Sequence, residues 1–462
     1  GDAVDLEVAV NGKGEYYIPG TSLMGPLRAR LEQVIGDKDK TNCLFGYQKD
    51  DNGHASHLTI EDAVLKGKVS REIRDGVGIC RHTGAAEDKK KYTRAVLPRG
   101  AEFTLRMSLD VPKGDTKNLN LKGLLRCMLD GIKKDGLLLG AGKTRGLGKI
   151  KAESVCAAWY DFPEKLDDWL NAEGDPTVDY ETTLNFASET SATLELLEIK
   201  VEWAPALPVM VKSGADGGIA DMLPLVSGME GGTLAPVIPG SSVKGVLRAR
   251  AEKILRTVGH FVDTPDALQN DLFGSTEAAG RLSVRDTYQM ANSVDAEKWA
   301  AEDKTVMDAA TDHQDHVAID RFTGGASDTA LYNVRTPKRD KAWEPFTITV
   351  DFSRKVVLPA TNGEKPKPRD ISDEEKLQEV ALLLLVLRDM QAGWVPIGFG
   401  STRGLGDITV KDIFITGAVA GVKFDNTTLG NAMTEQKLGE AWGKIVPAPT
   451  KNDSQNQEAQ HA

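Results

Sequence analysis

Ile18-Pro-Gly-Thr-Ser-Leu-Met-Gly-Pro-Leu-Arg-Ala-Arg30 returns later in the chain as Ile238-Pro-Gly-Ser-Ser-Val-Lys-Gly-Val-Leu-Arg-Ala-Arg250. Three further blocks repeat in the same order. Leu44-Phe-Gly46 returns as Leu272-Phe-Gly274. Arg81-His-Thr-Gly84, followed by Tyr92, returns as Arg321-Phe-Thr-Gly324, followed by Tyr332. Gly140-Ala-Gly-Lys-Thr-Arg-Gly-Leu-Gly148 returns as Gly398-Phe-Gly-Ser-Thr-Arg-Gly-Leu-Gly406. The spacing between matches grows from 220 residues (18 to 238) to 258 residues (140 to 398), so the second copy carries the longer insertions. Internal repetition on this scale is read before any local signal. It predicts two tandem domains of one fold.

The rest of the chain fits that frame. Its 462 residues suit two or three domains. A 40% hydrophobic and 27% charged composition is that of a soluble globular protein. The longest aliphatic run, Ala381–Leu387, is too short to span a bilayer and reads as the centre of a buried helix. The boundary between copies falls between Ala157 and Ala192, an acidic stretch holding Pro163 and Pro176. The division expected is a first domain over 1–158, a linker over 159–193, a second domain over 194–415 and an extension over 416–462. Alternation at Leu194, Leu196, Ile199 and Val201 opens the second domain as a strand. No matching strand precedes Asp2, which suggests that a short leading segment is missing. The tail from Pro447 has no apolar period and reads as disordered.

Cys43, Cys80, Cys127 and Cys156 are far apart and form no CxxC, so neither a disulfide framework nor a zinc ribbon is expected, and a cytoplasmic setting fits. The pairs His54/His57 and His313/His316 lack partners at ligand spacing and read as solvated loop histidines. The net charge of −11 argues against a uniformly basic surface. It leaves room for local basic clusters, at Lys66–Arg74, Lys89–Arg94 and Lys143–Lys151.

The first block is a turn that launches a helix. Pro19-Gly20 makes the turn. Thr21 or Ser22, like Ser241 or Ser242, is expected to cap the helix. Leu23, Leu27, Leu31 and Val34 then share one face, as do Val243, Leu247, Ala251 and Ile254. Arg28, Arg30, Arg248 and Arg250 lie off that stripe. A helix start offers N–H groups and a positive dipole end, a natural phosphate seat. The plain alternative is a capped amphipathic helix with solvated arginines.

The last block is a glycine-rich loop before a strand. Glycine lets a backbone approach a ligand closely, and Lys143, Arg145 and Arg403 add charge suited to phosphate. It lacks GxxxxGK[ST] and leads into a strand, so a nucleotide triphosphatase is not supported. A tight structural turn is the plain alternative, but two copies of Thr-Arg-Gly-Leu-Gly suggest a ligand that is itself repetitive. The middle block, small, polar and basic between β-type residues such as Phe103, Leu105, Met107 and Leu109, reads as a protruding β-hairpin.

Together these blocks resemble the RAMP superfamily of CRISPR-associated proteins, in particular the tandem backbone subunit of type III-D-like effectors. The match rests on Ile238–Gly245, Leu272–Gly274, Arg321–Gly324 and Gly398–Gly406. The first copy departs from it with Met24 where the family usually has lysine. The resemblance implies an α+β fold of two ferredoxin-like, RRM-like domains, each an antiparallel sheet backed by helices with a thumb hairpin. It implies an antiviral ribonucleoprotein in which each domain grips guide crRNA while the thumb kinks the guide–target duplex. RNA contacts would fall on Ser22, Arg28, Gly140, Gly142, Lys143 and Arg145 in the first copy. In the second they would fall on Ser242, Lys244, Arg248, Gly398, Gly400, Ser401 and Arg403. The expected partners are guide crRNA, target RNA and other type III effector subunits, with no membrane.

In family members that cut, an aspartate lies just before the IPGSS turn. Asp5 aligns with Asp221 as that residue, with Asp2 and Asp216 as the other candidates. The implied activity is a metal-dependent endoribonuclease that cuts target RNA at two sites, using Mg²⁺. A carboxylate accepting the 2′-OH proton would contribute about 10²–10⁴-fold. The alternative is a non-catalytic RNA-binding backbone with inert aspartates. A guide-processing nuclease is disfavoured because no histidine is matched between the copies (His82 aligns with Phe322). A metabolic enzyme is disfavoured because no dinucleotide or triphosphate fingerprint is present.

Overall fold

The computed structural model of the protein describes residues 4–80, 83–113, 120–172, 174–185, 194–214, 218–259, 267–276, 278–358 and 367–445. Asp2, Asp216, Arg81, His82 and the tail expected to be disordered from Pro447 lie outside the described residues.

In the second domain, alternation places Leu197, Ile199, Val201 and Trp203 on the buried face of strand Leu196–Pro205. That strand is central. It pairs antiparallel with Phe346–Asp351 on one side and Ile408–Val419 on the other. Leu282–Val284 lies outside Phe346–Asp351, and Val422–Thr428 outside Ile408–Val419. Helix Gly240–Thr257 follows the first strand in sequence, and helix Asp373–Gln391 follows the third. The chain therefore runs strand, helix, strand, strand, helix, strand, and those four strands lie side by side in the order fourth, first, third, second. This is the ferredoxin-like arrangement expected, extended by one edge strand. Both helices contribute to one core with the sheet. Helix Asp373–Gln391 starts on a Ser372/Glu375 capping box. Ala381–Leu387 is its buried centre, because the final helix Gln436–Gly443 packs on it beside the sheet. Trp203 stacks on Phe346 at 4.5 Å between ring centres. Truncating such a buried aromatic typically costs about 3–5 kcal/mol.

The first domain repeats the plan in shorter form. Helix Gly20–Ile35 buries Leu23, Leu27, Leu31 and Val34, the expected stripe, against helix Leu121–Lys134 and strands Leu58–Ile60 and Met107–Leu109. The linker packs on this domain. Tyr180 and Leu184 bury against Leu129, and the Tyr180 hydroxyl donates to Asp130 at 2.7 Å. All four cysteines are free thiols. Among the described residues no helix is long and apolar enough to cross a membrane.

Each domain projects the expected hairpin. The first thumb pairs Glu72–Ile79 with Ala86–Val96, and the second pairs Thr311–Ile319 with Ala326–Pro337. Both carry the same irregularity. Register shifts between Val77 and Ile79 and between Val317 and Ile319, while Lys89 and Thr329 take positive φ (58° and 60°) at matched positions. Such a bulge bends a hairpin at a fixed point.

Candidate RNA interface at the domain junction

The expected serine and threonine caps do not form. Both launch helices begin at the glycine, with Pro19 and Pro239 as caps that have no capping side chain. The cap comes from elsewhere in the fold. Gly20 N–H donates to Asp62 Oδ1 at 2.8 Å, and Gly240 N–H donates to Asp286 Oδ1 at 2.9 Å. Proline already fixes the entry geometry, which leaves Ser22 and Ser242 inside the first turn. The sequence held a signal for these aspartates: Leu58-Thr-Ile-Glu-Asp62 matches Leu282-Ser-Val-Arg-Asp286 as a fifth repeated block.

Arg28 and Arg248 have internal work. Arg28 donates to Gly46 O at 2.9 Å and also to Asn42. Arg248 donates to Gly274 O at 2.6 Å and to Asn270 at 3.0 Å. Each arginine clamps the Leu-Phe-Gly turn of its own copy, so the first and second blocks are one structural unit. Ser22, Gly140, Gly398, Gly400, Ser401 and Arg403 lie on the expected turns, with Arg403 over the Phe399 ring at 5.1 Å.

The two candidate aspartates occupy equivalent places. Asp5 Oδ2 accepts from Thr93 N–H at 2.7 Å, and Asp5 N–H donates to Thr93 Oγ1 at 3.2 Å. Asp221 Oδ2 accepts from Asn333 N–H at 2.8 Å, and Asp221 N–H donates to Asn333 Oδ1 at 2.8 Å. Leu6 then pairs parallel with Arg94 as Met222 does with Val334. Thr93 and Asn333 each follow the repeated thumb tyrosine. Both carboxylates are exposed at the thumb base. Thr93 and Asn333 were not legible as partners, because each is an unremarkable polar residue in a strand.

Arg94, between the first thumb and the glycine loop, lies over the Tyr92 ring, and a Cβ on Gly142 would come within 2.6 Å of its guanidinium. Gly142 has φ of 76°, a conformation that favours glycine. Arg145 donates to the Tyr92 hydroxyl at 3.4 Å. Tyr92-Thr93-Arg94 thus joins the Asp5 segment, the thumb and the glycine loop.

The main surprise is which copies of the blocks meet. The first domain's glycine loop sits on the second domain's launch turn. Val284 N–H reaches Thr144 O at 3.4 Å, and a Cβ on Gly240 would meet Val284 O at 2.1 Å and the Gly146 Cα at 3.0 Å. Lys143 and Arg145 therefore belong to one cationic group with Lys244, Arg248 and Arg354. Lys244 is 7% exposed and donates to Leu282 O at 2.6 Å. Burial, with Arg145, Arg248 and Arg354 nearby, pulls its ammonium down to about 7. Burial and Arg354 also lower Lys143.

Beside this group a cavity of about 210 Å³ runs between the domains. Arg30, Lys143, Lys149, Arg281, Arg285 and Arg354 line it, against Asp135 and Asp351. Arg281 is 3% exposed; its Nη1 binds Glu379 at 2.6 Å, while Nη2 has no hydrogen-bond partner. A lining with more basic than acidic side chains suits an oxyanion.

The thumb of the first domain completes the junction. Arg74 is paired with Asp286, and both are nearly buried. Arg74 also donates to Ser227 Oγ at 2.6 Å, and Glu72 accepts from Ser227 Oγ at 2.9 Å and from Gly228 N–H. Arg99 binds Glu344 at 2.8 Å and covers the Tyr288 ring at 5.1 Å. Asp286 is thus both helix cap and thumb anchor.

His316 stacks on Tyr332 and His313 contacts Asp315, both histidines lying on the first strand of the second thumb. Among the described residues there is no group of three or more His, Cys, Asp or Glu able to hold a metal ion. No curated protein matches the sequence. The description RAMP superfamily matches residues 1–151 and 227–409, more than half of the chain and one segment in each repeat. The doubled launch turn, thumb and glycine loop thus carry a family signature in both halves, and the chain belongs to the RAMP superfamily.

Proposed function

We propose that this protein is a double backbone subunit of a type III CRISPR effector, which holds guide crRNA and cuts complementary target RNA at two sites. Its family supports the coarser reading, a CRISPR-associated RNA-binding subunit. The finer reading is supported by one observation above all. The same reciprocal bonding, Asp5 with Thr93 and Asp221 with Asn333, sets one exposed carboxylate at the base of each thumb.

In this reading the cationic group at the junction, from Lys143 to Arg354, takes guide phosphates. The thumbs intrude between bases, and Phe322, 99% exposed at the second thumb tip, is the apolar wedge. Unstacking frees a nucleotide to bring its 2′-OH in line with the adjacent phosphate, which is mostly a positioning effect. The free carboxylate oxygen of Asp5 or Asp221 accepts the 2′-OH proton. The 2′ oxygen bonds to phosphorus, the bond to the 5′ oxygen breaks, and water protonates that leaving oxygen. The products are a 2′,3′-cyclic phosphate and a 5′-OH.

Each aspartate has one oxygen engaged by the thumb and the other open; as an alternative to accepting the proton, that open oxygen would be the single carboxylate ligand of a Mg²⁺ whose other ligands are water and phosphate. When bound, the ion would supply charge neutralisation at the scissile phosphate. End-group analysis of cleaved target tests the chemistry: a cyclic phosphate end supports 2′-OH attack, and a 3′-OH end refutes it. A second reading, an inert scaffold, draws on the same bonds, since tying the segment to the thumb is a sufficient structural role for either aspartate. Intact guide binding with no cleavage would establish it.

A further inference from the structure

The junction between the domains is a contact of one repeat with the next, so the same contact is in principle open to a second copy of the chain at either end. Head-to-tail contacts of this kind propagate into filaments unless something stops them. We infer that side chains at the two outer faces reject a second copy, so that this junction forms once per chain.

The thumbs match in register, Gly76 facing Tyr92 as His316 faces Tyr332. Every thumb position therefore has a counterpart 240 residues on (92 to 332). The receiving faces match through Asp62 and Asp286, which bind Gly20 and Gly240 alike. Val64 faces Tyr17 as Tyr288 faces Val237. Thr104 pairs with Val64, and Glu344 N–H donates to Tyr288 O at 3.0 Å.

Across these matched positions the joining pairs are incomplete, although Asp62 matches Asp286. Gln314 stands where Arg74 anchors to Asp286. Asp312 stands where Glu72 binds Ser227 and Gly228, and it is engaged by Lys338 of its own domain at 2.8 Å. Arg339 stands for Arg99 but donates to Ala206 O at 2.8 Å. On the receiving side of the first domain, Val64 replaces Tyr288 and Thr104 replaces Glu344. The buried ion pair, the rim ion pair and the cation–ring contact all lack at least one partner. The fold is repeated while the adhesive chemistry is not, which gives the chain two different ends and a single internal joint.

Light scattering on the full-length protein tests this. The wild type should keep the mass of one chain as concentration rises, and the triple variant Val64→Tyr/Thr104→Glu/Gln314→Arg should grow with concentration. A second arm covers poor folding of the triple variant: Gln314→Arg mixed with Val64→Tyr/Thr104→Glu should yield a two-chain species. Growth of the wild type itself would overturn the inference. So would a triple variant and a mixture that both stay single while retaining the wild-type circular dichroism.

Discussion

Asp221 and Asn333 hold each other by two hydrogen bonds of 2.8 Å, each backbone N–H donating to the other's side chain. The pair locks the segment before the launch turn to the thumb. Under the proposed function it would fix where the open carboxylate oxygen sits relative to a nucleotide displaced by the thumb. In that reading Asn333 would be a positioning residue for Asp221, as Thr93 would be for Asp5.

Asn333→Ala should slow cutting at the second site while leaving the first site and guide binding unchanged. Misplacing a reacting group by about 1 Å can cost about 10²-fold. Asn333→Thr restores the pairing used by the first copy and should recover most of the rate. Single-turnover rates at each cut check this; equal loss in both variants would contradict it.

If Lys244 meets guide phosphate as proposed, guide binding should depend on pH. Its ammonium is depressed to about 7 in the folded chain, against an ordinary 10.5. Between those values the unfolded chain holds a proton that the folded chain lacks, so stability rises with pH there. Below about 7 both states are protonated and the burial penalty is felt in full. A phosphate beside Lys244 raises its pKa, so binding takes up a proton. Guide affinity should therefore fall as pH rises through 7. Lys244→Met, which copies Met24 of the first repeat, should remove that dependence and leave the melting temperature equal or higher. Affinity measured across pH for both proteins is the check.

Asp286→Ala removes the partner of a nearly buried arginine and the cap of Gly240 together. Breaking one member of a buried pair costs about 3–5 kcal/mol, so a clearly lower unfolding midpoint is expected. Asp62→Ala lacks the arginine and should cost less, about 0.5–2 kcal/mol for a lost cap. Denaturant titration of the two variants decides; equal losses would mean that the thumb anchor contributes little.

Phe322→Ala should leave stability unchanged, because the ring touches solvent. In the assembled complex it should weaken engagement of the guide–target duplex by about 1–3 kcal/mol, the worth of one base–aromatic stack. Target affinity with and without the ring checks this.

Much of this is legible in the sequence. Four blocks in one order require two similar domains, and the leucine stripe from Leu23 to Val34 fixes which helix face is buried. Tertiary partners were not legible. Arg28 and Arg248 read as phosphate ligands because a sequence shows charge but not the carbonyls of Gly46 and Gly274 that engage it. Ser22 and Ser242 read as caps because serine before an apolar stripe usually is one, whereas the caps lie 42 and 46 residues from the glycines they bind. The composite junction was hidden for a topological reason. Each block looks like a property of its own repeat, and only folding places Lys143 and Arg145 of one copy against Lys244 of the other.

The most direct test of the central claim is to map target-RNA cuts made by the guide-loaded complex with Mg²⁺, for wild type, Asp5→Ala, Asp221→Ala and the double variant. Two equivalent carboxylates at two thumb bases predict that each single variant loses one distinct cut, that the double variant loses both, and that guide binding stays intact. Unchanged cutting by the double variant would contradict the account and leave both aspartates as struts between strand and thumb.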